Sequence, residues 1–218
     1  MATIAPGQST PFYDGCMPTE RRESLPALLR RVRACQMCAA HLPLGPRPVL
    51  QAARGARILL ASQAPGRKVH DTGIPFNDAS GERLRDWLDV SREQFYDPQL
   101  FAILPMGFCY PGKGTSGDLP PRPECAPAWR APLLARLPRL ELTLVIGQYA
   151  LAWHLPDAPR NLTEAVRGWR AALDGAGPHT LALPHPSPRN NGWFKHNPWF
   201  ADEVLPSLRA HVAQLLQR

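Results

Sequence analysis

Apolar positions along this chain come in two rhythms. Four short unbroken runs, ARILLAS (56–62), LFAILP (100–105), LTLVIG (142–147) and TLALP (180–184), are each bounded by turn residues. Such runs are the mark of strands buried on both faces of a parallel sheet. Between them, apolar residues recur every three or four positions, which is the helical period. Leu25, Leu28, Leu29 and Val32 share one face behind Ser24, a side chain suited to capping a helix. Leu84, Trp87 and Leu88 do the same in GERLRDWLDV, and PAWRAPLLARL, QYALAWHL and a stretch from about Leu162 to Ala172 also read as helices. A last helix carries Val204, Leu208, Val212 and Leu215 on one stripe. Strands alternating with helices predict an α/β domain over residues 21–218, a three-layer α/β/α sandwich. Its central sheet is mainly parallel, with about four strands. Residues 1–20 mix Pro, Gly, Ser and Thr without periodicity and read as an extended arm.

In sheets of this kind ligands bind beyond the carboxyl ends of the strands. Three unusual loops start there: 62–81, 105–124 and 184–199, each punctuated by glycine or proline. Their convergence locates the site.

Composition narrows the partners. Lys and Arg number 25 against 18 Asp and Glu, a formal charge of +7, and such a surface favours a polyanion, nucleic acid above all. No apolar stretch approaches the roughly 20 residues of a membrane span. The start, MATIAPGQSTPFYDG, lacks the basic opening and apolar run of a secretory signal, so a cytoplasmic protein is expected, with no membrane partner. Five cysteines in such a chain do not form a secreted disulfide framework. Cys35 and Cys38 make a C-x2-C pair, fifteen residues separate Cys109 from Cys125, and Cys16 stands apart. Four thiolates in two pairs suit soft metal chemistry, and residue types alone fit zinc as well as iron–sulfur.

The first loop runs from Ser62-Gln63-Ala64-Pro65-Gly66 to Thr72-Gly73-Ile74-Pro75-Phe76. Its small residues let backbone N–H groups approach a ligand, and its phenylalanine can stack on a flat ring. The third loop, His185-Pro186-Ser187-Pro188-Arg189-Asn190-Asn191, offers a histidine, a hydroxyl and a cation within five residues. A neutral imidazole can donate to a developing oxyanion, while Ser and Arg suit a phosphate.

Taken together, these residues resemble the uracil-DNA glycosylase superfamily. S-Q-A-P-G…T-G-I-P-F is similar to its first motif, and H-P-S-P-R-N to its second. The cysteine spacing resembles that of the iron–sulfur family-four enzymes. The likeness runs from about Cys35 to the C-terminus. It implies that Cys35, Cys38, Cys109 and Cys125 hold a structural [4Fe–4S] cluster, with zinc the less favoured occupant and Cys16 unliganded. It further implies that Gln63, Ala64, Pro65 and Gly66 line a base pocket with Phe76 stacked under a flipped base. His185 would then face the base oxygen where charge builds, Ser187 would touch a DNA phosphate, and Arg189 to Asn191 would wedge into the vacated stack. The implied activity is that of a monofunctional glycosylase that removes uracil, or another deaminated base, and leaves an abasic site. No lysine stands in either core motif, S-Q-A-P-G with T-G-I-P-F or H-P-S-P-R-N, to offer a Schiff base for strand cleavage. A monomer is expected.

The chain departs from the family pattern twice. Where the first motif usually carries an acidic residue to orient water, Gln63 and Ala64 stand. Asp78 is the favoured substitute, with Asp71 and His70 as further candidates. Where an asparagine usually reads the base, four residues before the third cysteine, Pro105 stands. Asn77 or main-chain groups must then recognise the base. Both departures also fit a rival reading, a DNA-binding iron–sulfur module of the same fold that has lost catalysis.

Overall fold

The computed structural model describes residues 23–115 and 117–217. The N-terminal arm read over 1–20, and Cys16 with it, lie outside the described residues. The first helix, α1 (Leu25–Arg33), opens as its sequence indicates: Ser24 caps it, the side chain accepting from the Ala27 N–H, and Leu25, Leu28, Leu29 and Val32 are its buried face. Strand β1 (Ile58–Ala61) follows, then α2 (Arg67–Thr72), α3 (Ala79–Leu88) and α4 (Arg92–Tyr96). After them come β2 (Phe101–Ile103), α5 (Cys125–Leu134), β3 (Leu142–Ile146) and α6 (Gln148–His154). The chain continues through α7 (Leu162–Arg167), α8 (Trp169–Leu173), β4 (His179–Leu183) and α9 (Asn191–His196). A π-type turn at Phe200–Val204 leads into α10 (Leu205–Gln217).

The four strands form one all-parallel sheet in the order β2-β1-β3-β4, flanked by helices as a three-layer α/β/α sandwich. Ile58 aligns with Phe101 on one side and Leu142 on the other, and Leu142 aligns in turn with His179. Strand side chains alternate between faces. Leu59, Ala102 and Leu104 therefore pack with Leu25, Leu28, Val32 and Leu133 of α1 and α5. Ile58, Leu60, Phe101 and Ile103 pack on the opposite face with Leu84, Trp87 and Leu88 of α3 and Leu208 and Val212 of α10.

The helix expected over 162–172 is two helices, because Gly168 ends α7 and α8 restarts at the buried Trp169. The loops read at 62–81 and 184–199 also hold structure that the apolar pattern hides. Helix α2 buries Val69 and His70, and α9 buries no residue, so neither has an apolar stripe to detect.

The chain leaves β1 towards β2 on one side and reaches β3 on the other. The carboxyl ends of β1 and β3 are thus the point where the topology reverses and a crevice opens.

Candidate active site

The cleft at that point has a volume of about 620 Å³ and is lined by all three loops. Gln63, Ala64, Pro65, Gly66, Phe76 and Asp78 come from the first, Pro105 and Asp118 from the second, and His185, Ser187 and Arg189 from the third. The first two loops are zipped together beyond the strands. Met106 N–H donates to the Ser62 carbonyl (2.7 Å) and Gly107 N–H to the Gln63 carbonyl (3.0 Å), which extends the parallel ladder into the cleft wall. Buried Arg130 of α5 fixes the adjoining turn, its Nη1 donating to the carbonyls of Leu104 (2.9 Å) and Pro105 (3.2 Å). Its Nε donates to His154 Nε2 at 2.8 Å.

Phe76 sits in the left-handed region (φ 53°), which a bulky residue rarely adopts without external constraint. The constraint is Gly81. A methyl group at that glycine would meet the Phe76 carbonyl oxygen at 1.7 Å, so only hydrogen lets the two backbones come so close. The same turn is held by Asp78, which caps α3 by accepting from the Gly81 N–H at 2.9 Å. The Phe76 ring rests edge-on against Phe95, with centroids 6.1 Å apart.

His185 leaves β4 half-buried. Its Nδ1 accepts from the Ser187 N–H (3.2 Å), and its carbonyl accepts from Asn190 Nδ2 (2.8 Å). With Nδ1 taken as acceptor, the proton of a neutral ring belongs on Nε2, which is left as a donor. Burial pushes the imidazole below its ordinary pKa, and the Asp78 carboxylate partly opposes that. The ring is thus biased towards the neutral donor form. Gly147, at φ 82° after β3, lies beside it, where a Cβ would sit 3.8 Å from the His185 Cβ. The Ser187 hydroxyl accepts from the Arg189 N–H (3.3 Å) and its carbonyl from Arg83 Nη1 (3.4 Å), so the second motif is bonded at successive residues.

Three other candidates lie away from the cleft lining. Asn77 Oδ1 accepts from Arg92 Nη2 (3.1 Å). Asp71 pairs with Arg67 on the outer face of α2 (2.9 Å). His70 is buried against Tyr110, with ring centroids 6.1 Å apart. In their place the fold brings in Asp118, Gln148 and Tyr149, which belong to no motif; only their position after β2 and β3 hinted at the site.

The second constellation is the cysteines. Cys35 and Cys38 follow α1, Cys109 lies in the second loop and Cys125 opens α5; all four are free thiols that line one cavity with Val32, Phe108 and Trp129. Phe108 N–H donates to Cys125 Sγ at 3.4 Å. Burial pushes Cys109 up to about 11 and Cys125 up to about 12, and Cys38 is raised too, by burial and then by Glu124. Such thiols need a cationic group to hold them as thiolates. The donor set fits a thiolate-bound metal group in kind, and the four residues line one cavity. As the side chains stand, no group of three or more His, Cys, Asp or Glu among the described residues could hold a metal ion.

The fold is thus a parallel α/β sheet whose cleft, lined by His185 and Phe76, opens at the switch point where ligand sites of such sheets lie. Residues 50–209 match the family model of the Uracil DNA glycosylase superfamily, and the chain belongs to that superfamily. This places it among DNA-repair hydrolases that act on DNA. Cys109 and Cys125 fall within the matched span, while Cys35 and Cys38 precede it. Among the described residues no helix is long and apolar enough to cross a membrane.

Proposed function

We propose that the protein is a monofunctional DNA glycosylase that hydrolyses the N-glycosidic bond of uracil, or of another deaminated base, and leaves an abasic site. The observation that carries this reading is His185, a half-buried imidazole whose Nδ1 accepts from the Ser187 N–H and whose Nε2 has no hydrogen-bond partner among the described residues, lining the same cleft as Phe76. A base extruded from DNA would stack on Phe76, against the wall formed by Gln63, Ala64, Pro65 and Gly66. Extrusion costs a few kcal/mol, least for an unpaired or mispaired base. As the glycosidic bond lengthens, negative charge collects on the base oxygen, and His185 Nε2–H stabilises it there. Ser187 and Arg189 hold flanking phosphates. Arg189 in the cleft lining, with Arg83 bonded to the Ser187 carbonyl beside it, adds to the attraction that a net charge of +7 exerts on a polyanion. With Asn77 bonded to Arg92 and Pro105 in the wall, main-chain groups of the second loop read the base edge.

Cys35, Cys38, Cys109 and Cys125 would hold a [4Fe–4S] cluster, with zinc the alternative. When bound, the group supplies a structural cross-link. The residues themselves join the end of α1, the second loop and the start of α5, and so brace the wall that carries Pro105. The chain would act as a monomer on DNA.

Single-turnover excision from uracil-containing single-stranded DNA tests the reading. Wild type is expected to release base and leave an alkali-labile site. His185→Ala should lower the rate by roughly 10²–10³-fold, the usual worth of one oxyanion donor, with DNA affinity little changed. About four irons per chain in anaerobically purified protein would support the cluster, and one zinc would refute it. Binding without excision of any deaminated base would favour the DNA-binding module that Gln63 and Pro105 also fit.

A further inference from the structure

Two carboxylates line the cleft, and they differ in what already engages them. Asp78 commits Oδ1 to the Gly81 N–H and so holds the start of α3 under Phe76. Asp118 comes from a segment that belongs to neither motif. The second loop turns back on itself here: Leu119 N–H donates to the Gly112 carbonyl (2.8 Å), Gly114 N–H to the Gly117 carbonyl (2.6 Å), and Lys113 bridges Asp118 in antiparallel fashion.

This turn lies on the first motif. Gln63 Nε2 donates to the Leu119 carbonyl at 3.4 Å. A Cβ built on Gly66 would meet Asp118 Oδ2 at 3.4 Å, an ordinary contact that places the carboxylate directly over the Gln63–Gly66 stretch. The other flank of the turn meets the third loop, where a Cβ on Gly117 would come within 2.2 Å of Arg189 Nη1. Among the described residues no hydrogen bond or ion pair engages the Asp118 carboxylate.

We infer that Asp118 is the catalytic carboxylate that orients the attacking water, supplied by the second loop where the first motif has only Gln63 and Ala64. The inference rests on the glycosylase reading above. In the step it serves, the bond between the sugar C1′ and the base nitrogen breaks and its electron pair leaves with the base. The base oxygen takes a hydrogen bond from His185 Nε2–H. A water held by Asp118 adds to C1′ and passes a proton to the carboxylate. That proton then reaches the base anion through solvent, so one water is consumed, the sugar gains a hydroxyl and the base leaves neutral. Asp78 is in this scheme a positioning residue, acting through α3 on Phe76 and through charge on His185.

The experiment is single-turnover excision by the full chain on uracil-, hypoxanthine- and xanthine-containing single strands. The proteins are wild type, Asp118→Asn, Asp118→Ala and Asp78→Asn, each with and without added formate. Asp118→Asn should slow excision roughly 10²-fold, in the range of general-base effects, with DNA affinity and thermal midpoint unchanged because its carboxylate packs nothing. Formate, a carboxylate small enough to enter the vacated space, should restore part of the Asp118→Ala rate and none of any Asp78→Asn loss. An Asp118→Asn rate within twofold of wild type overturns the assignment, as does an Asp118→Ala loss that formate leaves untouched. Wild type that releases none of the three bases overturns the glycosylase reading itself, and this inference with it.

Discussion

Gly81→Ala separates two physical effects of opposite sign. Within a helix, replacing glycine by alanine normally stabilises by up to about 1 kcal/mol, because the unfolded chain loses freedom and the helix gains a better former. Gly81 lies in the first turn of α3, so intrinsic propensity alone favours the change. The structure opposes it. The new methyl would lie 1.7 Å from the Phe76 carbonyl oxygen, 2.7 Å from its carbon and 2.8 Å from its Cβ, where ordinary contacts begin near 3.4 Å. Two stretches of backbone, neither a flexible side chain, must separate by more than 1 Å. Overpacking of that kind costs about 1–3 kcal/mol. Moving the Gly81 N–H off Asp78 also forfeits a cap of about 1 kcal/mol. The net expectation is a loss of about 2–3 kcal/mol, a drop of roughly 5–10 °C in thermal midpoint for a domain of this size. Because the displaced group is the backbone of Phe76, excision should fall by more than folding does. A displacement of about 1 Å in a positioning group can cost roughly 10²-fold in rate. Calorimetry or circular-dichroism melting reads the first effect, and single-turnover excision below the melting range reads the second. A variant that melts at or above the wild-type temperature would refute the close approach, and with it the account of how Phe76 is held.

Two further outcomes follow from charge. Burial, then Arg130, pushes His154 down to about 4 from an ordinary 6.5, so between those values the unfolded chain binds more protons than the folded one. Stability from this group is present above pH 6.5 and lost as pH falls towards 4, by at most about 3 kcal/mol. His154→Gln should flatten that part of the profile in denaturant titrations at pH 7 and 4.5, and an unchanged slope would refute it. DNA affinity should fall steeply with salt; Arg189→Ala should weaken it by about 1 kcal/mol, roughly fivefold, and make the salt slope shallower by about one unit. Salt-independent binding would argue against a phosphate-tracking surface.

How much of this was legible in the chain depends on whether the signal is local. The strands were, since ILLA, FAI, LTLVI and the LAL that ends the last strand are mostly apolar runs, and a run buried on both faces needs no partner to declare itself. Helix α1 was too, because Ser24 and the Leu25–Val32 stripe are contiguous. The two motifs and the cysteine pairs are each spaced within short stretches of chain, so the site's place and the family resemblance could be read before any fold was known. What the sequence could not hold is which loop residues meet. Asn77 and Asp78 are neighbours, yet the capping geometry turns Asp78 towards the cleft while Arg92, fifteen residues on, takes Asn77 away. Asp118 lies over Gly66 only because the zipped ladder beyond β1 and β2 lays one loop on the other. Sequence determined which elements form and which chemistry is available. Tertiary structure decided which carboxylates line the cleft and which ring nitrogen of His185 is already engaged, because both depend on hydrogen bonds and backbone approaches made only once the loops are packed.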